Sequence, residues 1–350
     1  MAAAILPSMA EGTAQGVDAL ESFEDSSALM EDASELRARF ERDGYVLLRG
    51  VVDRDVLLEA RRAITGVLQR HGWLDASQDP MAAVPDGGPY VEGEATYLEA
   101  YDDVQRLEAF HAVPHHPSVG RCMTALLGRT AFPHPLSIAR LVFPGNDEWT
   151  TPPHQDYPNN QGTAELYACW MPLADCSVEE GTLSILRGSH RLGIVPLRAS
   201  LGAGNRRADL DDRHDGLVWV GGDLRLGDAL IFHSLTVHRA LPNRGGSLRL
   251  SVDYRFQREG EALTAGCLEP HFGRLSWDDV YTGWERDDLR YYWRDKRYVV
   301  EEWDDSYHAI TDEEFEELLR DWLRWRRRHP ATDGSVPGAT WPPRADDWGG

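Results

Sequence analysis

The sequence predicts an all-β core with flanking helices: a double-sheet jelly roll followed by an aromatic-rich C-terminal extension. Three observations point there. Apolar residues recur at helical spacing up to about residue 127, and from Ser137 the period changes to two. The second half then reads as a series of short strands separated by turn residues, the pattern of sandwiches and barrels. After residue 270 the character changes again, and eight of the twelve tryptophans lie there.

Taken in order, residues 1–31 are small, acidic and aperiodic, and are expected to form a mobile tail. Asp32 with Glu35 three residues on resembles a capping box and opens a helix carrying Leu36 and Phe40 on one face. Asp43-Gly44 is a turn, and Tyr45–Leu48 a short apolar strand. Asp53 caps a second helix to about Arg70, with Val56, Leu57, Ala60, Ile64 and Leu68 at helical spacing and Gly72 ending it. Residues 75–95, rich in Pro, Gly and Asp, read as a loop, and a helical pattern returns across Val104–Leu127. Strands are expected at Ser137–Val142, Leu166–Leu173, Leu183–Leu186, Leu217–Val220, Ala229–His233 and Leu248–Phe256, with His154–Asp156 following a Pro-rich turn. Thr311 with Glu314 is a capping box that opens a helix bearing Phe315, Leu318, Leu319 and Trp322 on one face. With no internal repeat and no linker, the expected organisation is one domain over 32–270, a docked extension over 271–330 and a loose Pro/Gly-rich tail over 331–350.

At 350 residues and 42% hydrophobic, the chain can bury a sizeable core. Its formal charge of −22 repels phosphates, which argues against nucleic acid and anionic membrane surfaces; the charge itself serves solubility. Lys296 is the only lysine, so a carboxylate anchor in this chain must almost always be an arginine. Cys122, Cys169, Cys176 and Cys267 show no CxxC spacing and read as buried thiols of a reducing compartment. The first residues lack the basic and apolar regions of a secretory signal, and no run of 18 apolar residues exists. A cytoplasmic protein is expected, acting on a small-molecule substrate as a monomer or homodimer, with neither nucleic acid nor membrane as partner.

The chemistry-bearing stretch is Thr150–Asp156, Thr-Thr-Pro-Pro-His-Gln-Asp. On a strand, His154 and Asp156 project from the same face. One imidazole and one carboxylate side by side supply two of the three ligands of the 2-His-1-carboxylate facial triad of non-haem iron(II) oxygenases. His-x-Asp alone is a common pair. A third ligand is offered downstream in Gly227–Asn243, where His233 and His238 both qualify by residue type. Five residues apart, they face opposite ways on a regular strand.

Four features in this order resemble the phytanoyl-CoA dioxygenase-like iron(II)/2-oxoglutarate oxygenases, from about Phe40 to Phe256. They are Phe40–Val52 (FERDGYVLLRGVV), the His154/Asp156 pair, Glu180–His190 (EGTLSILRGSH), and His238 with Arg249 eleven residues later. The resemblance implies a double-stranded β-helix and a dioxygenase using Fe(II), 2-oxoglutarate and O2. That chemistry decarboxylates 2-oxoglutarate to succinate and CO2 and, in most cases, hydroxylates an unactivated C–H bond. It also implies His154, Asp156 and His238 as catalytic metal ligands, with His238 preferred over His233, and Arg249 as the anchor of the distal 2-oxoglutarate carboxylate. Trp170 matches a family position near the cosubstrate, although it reads equally as a core aromatic. Within Leu248–Phe256, Arg249, Ser251, Asp253 and Arg255 share one strand face, which is either solvated or lines the site. Ser251 is grouped with Arg249 as a cosubstrate contact, and Gln161 is a candidate amide donor to 2-oxoglutarate. The family usually has Pro where Arg187 stands, and Gly181, Gly188, Ser189 and His190 are expected to shape a turn and not to touch iron. Asp156 argues against the halogenase branch, which lacks the carboxylate. Two rival readings are a metal-free jelly-roll binding protein and a cupin-type metalloenzyme that does not use 2-oxoglutarate; Arg249 argues against the second.

Overall fold

The fold is described from a computed structural model over residues 20–210 and 214–329. The N-terminal part runs β1 (Glu21–Ser22), α1 (Ala33–Asp43), β2 (Tyr45–Leu48) and α2 (Arg54–Arg70). Asp32 caps α1 by accepting from the Ser34 and Glu35 N–H groups, and Gly44 at φ 77° closes it in the left-handed conformation. The helical pattern expected over Val104–Leu127 is broken. It forms α3 (Ala95–Gln105), α4 (Glu108–Ala112), a 3-10 turn at Val113–His115 and α5 (Pro117–Leu127). Pro114 and Pro117 each remove a backbone donor and can sit only in the first turn of a helix, so one continuous helix cannot form.

The strands that follow are β3 (Ala131–Val142), β4 (Tyr167–Pro172), β5 (Leu183–Leu186), β6 (Leu197–Ala199), β7 (Arg206–Ala208) and β8 (Trp219–Gly221). They continue with β9 (Ala229–His233), β10 (His238–Ala240), β11 (Arg249–Arg258), β12 (Ala262–Thr264) and β13 (Val299–Glu301). Short helices α6 (Tyr157–Asn160) and α7 (Trp277–Val280) and the longer α8 (Asp312–Arg328) complete the chain. β3 begins six residues earlier than its alternation predicts, because it pairs along nearly all of β11.

Two sheets face each other. One has the order β2-β9-β4-β11-β3, the other β1-β8-β5-β10, and a His154–His238 bridge extends the second beyond β10. Alternation along each strand divides the side chains between two cores. Leu47, Trp170, Leu230 and Phe232 from the five-stranded sheet meet Ile185, Val220 and Ala240 from the other, filling the jelly roll. Val46, Met171, Ile231, Val252 and Tyr254 point the opposite way, against α1, α2, α3 and α5. This arrangement is the all-β core with flanking helices expected from the period change.

Residues 20–31 correct the expected tail. Glu21 and Ser22 pair in parallel with Val220 and Gly221, Phe23 packs in the inter-sheet core, and the Ser26 N–H donates to Leu47 O at 2.8 Å. The rest of that tail, and the tail from 331, lie outside the described residues. Beyond residue 270, Trp277, Trp284 and Trp293 cluster with Tyr281 and Leu289. Helix α8 opens with the expected Thr311/Glu314 capping box and buries Trp322 and Trp325 against Val91 and Trp149. All four cysteines are buried and free. Among the described residues no helix is long and apolar enough to cross a membrane.

Candidate metal centre

The Pro-Pro dipeptide before His154 lacks N–H donors but keeps its carbonyls. Pro153 O accepts from the Ala208 N–H at 2.7 Å, and Pro152 O accepts from His154 Nδ1 at 2.9 Å. The His154 and His238 backbones exchange hydrogen bonds of 2.9 and 3.0 Å, which sets the two histidines side by side. Between His154 and Asp156, Gln155 points away and is fully buried. Its amide donates to Gly193 O and Leu235 O at 2.8 and 2.7 Å and accepts from the Val195 N–H at 2.9 Å, pinning the segment from behind. The Asn160 side chain holds Asp156 O at 2.8 Å. The Ser189 hydroxyl accepts from the Val237 N–H at 2.8 Å, fixing the residue before His238.

One ligand atom from each of His154, Asp156 and His238 falls within 4.8 Å of the other two. Asp156 Oδ1 is 3.8 Å from His154 Nε2 and 3.9 Å from His238 Nε2, and the imidazole centroids are 4.2 Å apart. His238 Nδ1 is 3.0 Å from Thr236 O. Both Nδ1 atoms therefore bond to backbone carbonyls, and both Nε2 lone pairs are left facing the carboxylate. Burial, reinforced by the neighbouring His238, pushes the His154 imidazole down to about 3, and burial also lowers His238, so both rings are neutral. Burial alone would raise Asp156, but the Arg255 guanidinium, paired with it and hydrogen-bonded to both oxygens, holds it well below the usual carboxylate range. Two neutral imidazoles and one carboxylate, all buried, are the donor set that iron(II) takes.

The other expected residues divide. Arg249 is 5% exposed; its Nε donates to Gly181 O at 3.1 Å and its Nη1 to Ser251 Oγ at 2.7 Å. No carboxylate pairs with it among the described residues. Burial lowers it only to about 10, so it is a cation at neutral pH. Its guanidinium carbon lies 5.8 Å from the Trp170 ring centroid, which places both on the inner face of the jelly roll. Ser251 thus acts on Arg249 itself. His233 turns to Glu165, 3.5 Å away, and its Nδ1 accepts from the Leu235 N–H, so it lies outside the cluster. Gln161 is a correction: its amide donates to Asp304 O at 3.0 Å and accepts from the Asp304 N–H at 2.7 Å, clamping the C-terminal region, so it is not free for 2-oxoglutarate. Arg255 was missed as a partner of Asp156. Its place on the same strand face as Arg249 was legible, but which group it meets was not.

Beside this centre a cleft of about 480 Å³, counting the part open to solvent, runs between β3 and Trp149–Thr151. Tyr90, Tyr97, Phe143 and Trp149 supply apolar walls, and Arg140 and Glu92 form an ion pair of 3.2 Å across it.

A family model described as phytanoyl-CoA dioxygenase matches residues 40–251. Two curated relatives, each a 1-deoxypentalenic acid 11-beta-hydroxylase, come from Streptomyces arenae and Streptomyces exfoliatus. They are 25% identical over 273 and 267 residues, covering 72% of this chain and 91% of their own. Among solved structures, the epimerase SnoN in complex with Fe3+, alpha ketoglutarate and nogalamycin RO shares the fold. Its TM-score is 0.50 and its identity 21%, over 70% of this chain and 92% of that one.

Proposed function

We infer the function from one premise: the chain belongs to the phytanoyl-CoA dioxygenase family, and it is accordingly a non-haem iron(II)- and 2-oxoglutarate-dependent oxygenase. When bound, iron(II) and 2-oxoglutarate activate O2, release succinate and CO2, and supply the oxidant for a C–H bond. We propose His154, Asp156 and His238 as the iron ligands and Arg249 as the anchor of the distal 2-oxoglutarate carboxylate. Ser251 orients Arg249, and Trp170 walls the cosubstrate. The observation that carries this reading is the buried His-Asp-His cluster, with its ligand atoms within 4.8 Å of one another.

The chain's own residues then have defined tasks. Pro152 O and Thr236 O hold the Nδ1 protons, which keeps each Nε2 available as a donor. Arg249 presents a charged fork with no paired carboxylate among the described residues, and a buried cation of that kind calls for an anionic partner. The inter-sheet core excludes water from the inner side of the site. The reaction is hydroxylation of an unactivated C–H bond in a small organic molecule. Two findings support a small substrate: the curated relatives are hydroxylases of 1-deoxypentalenic acid, and the cleft combines apolar walls with a few polar groups, as small-ligand sites do. Residues 271–329 are proposed as a peripheral extension of this single oxygenase domain.

The test is anaerobic titration with iron(II) and 2-oxoglutarate, followed by a metabolite screen for substrate-stimulated succinate. The wild-type chain should develop the visible charge-transfer band of the iron(II)–2-oxoglutarate complex. His154→Ala, Asp156→Ala and His238→Ala should lose iron, whereas His233→Ala should retain it. Iron bound normally by His238→Ala and lost by His233→Ala would sink the assignment of the third ligand.

A further inference from the structure

Metal and cosubstrate binding leave two inner-face charges of β11 without a task. They are Asp253 and Arg255, both beyond residue 251, where the family match ends. Arg255 Nη2 lies 3.0 Å from Asp156 Oδ1 and 3.1 Å from Oδ2, so one nitrogen straddles the carboxylate. Its Nη1 lies 3.0 Å from Asp253 Oδ2, and the Asp156, Arg255 and Asp253 side chains are 3%, 3% and 6% exposed. The Arg255–Asp253 contact is held by charge and lacks hydrogen-bond alignment: among the described residues, Nη1 and Nε of Arg255 and Oδ1 of Asp253 have no hydrogen-bond partner.

A carboxylate turns easily about its last torsion, because sp³–sp² rotations are broad. An Asp156 free to turn would present either oxygen, or both, to a metal. A carboxylate spanning the metal with both oxygens would occupy a position that an open oxygenase site must keep free. A guanidinium bridging both oxygens removes that freedom. It also carries a cost, since a positive charge beside a cation site repels the cation. Asp253 offsets this: Asp156, Arg255 and Asp253 together carry −1, which still attracts a divalent ion. We propose that Arg255 is the positioning residue of the metal centre, fixing the Asp156 carboxylate with Oδ1 toward the two imidazoles, and that Asp253 holds Arg255 in place. The proposal rests on the reading of His154, Asp156 and His238 as the metal site.

The simpler role for Arg255 is neutralisation of buried charge, and a charge-conserving variant separates the two. Arg255→Met combined with Asp253→Asn leaves Asp156 alone, with the same −1. The probe is Co(II), titrated into the full chain and followed by its d–d absorption and by calorimetry, with no turnover involved. Loss of an outer partner of a ligand commonly lowers metal affinity about 10–100-fold. The double variant should therefore bind Co(II) about tenfold or more weakly, with an altered absorption spectrum. Arg255→Lys keeps the charge without the planar fork, and should fall between the double variant and wild type on both readouts. A double variant with wild-type affinity and spectrum would overturn the proposal. If that variant does not fold, Arg255→Lys decides, and wild-type affinity and spectrum there overturn it equally. Failure of the wild-type chain to bind Co(II) would instead overturn the metal-site reading, and the proposal with it.

Discussion

Two arginines on one strand face, Arg249 and Arg255, have opposite electrostatic settings. Arg255 sits between two carboxylates that outweigh its burial and hold it protonated. Arg249 has a hydroxyl, a carbonyl and an indole around it, and among the described residues no carboxylate forms an ion pair with it. Truncating the partner of a buried charge costs about 3–5 kcal/mol. Arg249→Gln should therefore raise the 2-oxoglutarate KM about a hundredfold or more while iron still binds. Arg249→Lys should lose less, since it retains the charge and gives up the two-pronged geometry. The charge-transfer band should reappear in both variants at high 2-oxoglutarate. An unchanged KM in Arg249→Gln would move the anchor to Arg140, the next guanidinium toward the cleft.

At the scale of elements, the site depends on how closely the turn before β5 approaches the chain leaving β10. Gly181 has φ +86°, and a Cβ there would lie 2.6 Å from Leu241 O and 3.1 Å from the Asn243 nitrogen, both backbone atoms that cannot swing aside. The same glycine supplies the carbonyl that holds Arg249 Nε. Gly181→Ala combines left-handed strain with a backbone clash, each worth about 1–3 kcal/mol. Thermal unfolding should show a loss of about 2–6 kcal/mol, the two costs together. 2-Oxoglutarate should bind more weakly while Co(II) affinity is retained, because the displaced carbonyl belongs to Arg249 and not to the triad. Equal losses of both affinities would mean that this turn supports the whole site and not its cosubstrate end.

At the scale of the whole molecule, the region after residue 270 is fastened to the barrel at several separate points. Trp284 Nε1 donates to Arg106 O at 2.8 Å, Gln161 clamps Asp304, and Trp325 Nε1 donates to Asn146 Oδ1 at 2.9 Å. Helix α8 buries only Leu318, Trp322 and Trp325, and Arg326 and Arg328 pair with Glu94 and Glu148 around them. Trp325 is fully buried against Trp149, with centroids 4.7 Å apart, and deleting a buried tryptophan side chain costs about 3–5 kcal/mol. That loss should fall on the docking of α8. Trp325→Ala should therefore be cut faster by trypsin at Arg320–Arg328, with wild-type Co(II) affinity. Loss of metal binding in this variant would show that α8 supports the centre directly.

What the sequence determined by itself is what short-range physics encodes. Period two from Ser137 marks the strands, Asp32 and Thr311 mark helix starts, and the two-residue spacing of His154 and Asp156 places both on one side of the chain. The alternation of β11 likewise put Arg249, Ser251, Asp253 and Arg255 on a single face. The helix break at Pro114 and Pro117 is local too, but the apolar spacing continues across it and masks it. The metal triad needed one long-range fact, the pairing of His154 with His238, and the resemblance to a family supplied it. The rest was decided by tertiary structure. Whether that β11 face met water or the site depended on the second sheet closing over it. Arg255 reaches Asp156 across 99 residues and Gln161 reaches Asp304 across 143. Glu21 and Ser22 became a strand because β8 offered them an edge. Each of these depends on strand register and on which surfaces are brought together, and no periodicity within a segment carries that information, because a side chain's partner is chosen by the packing of elements far apart in the chain.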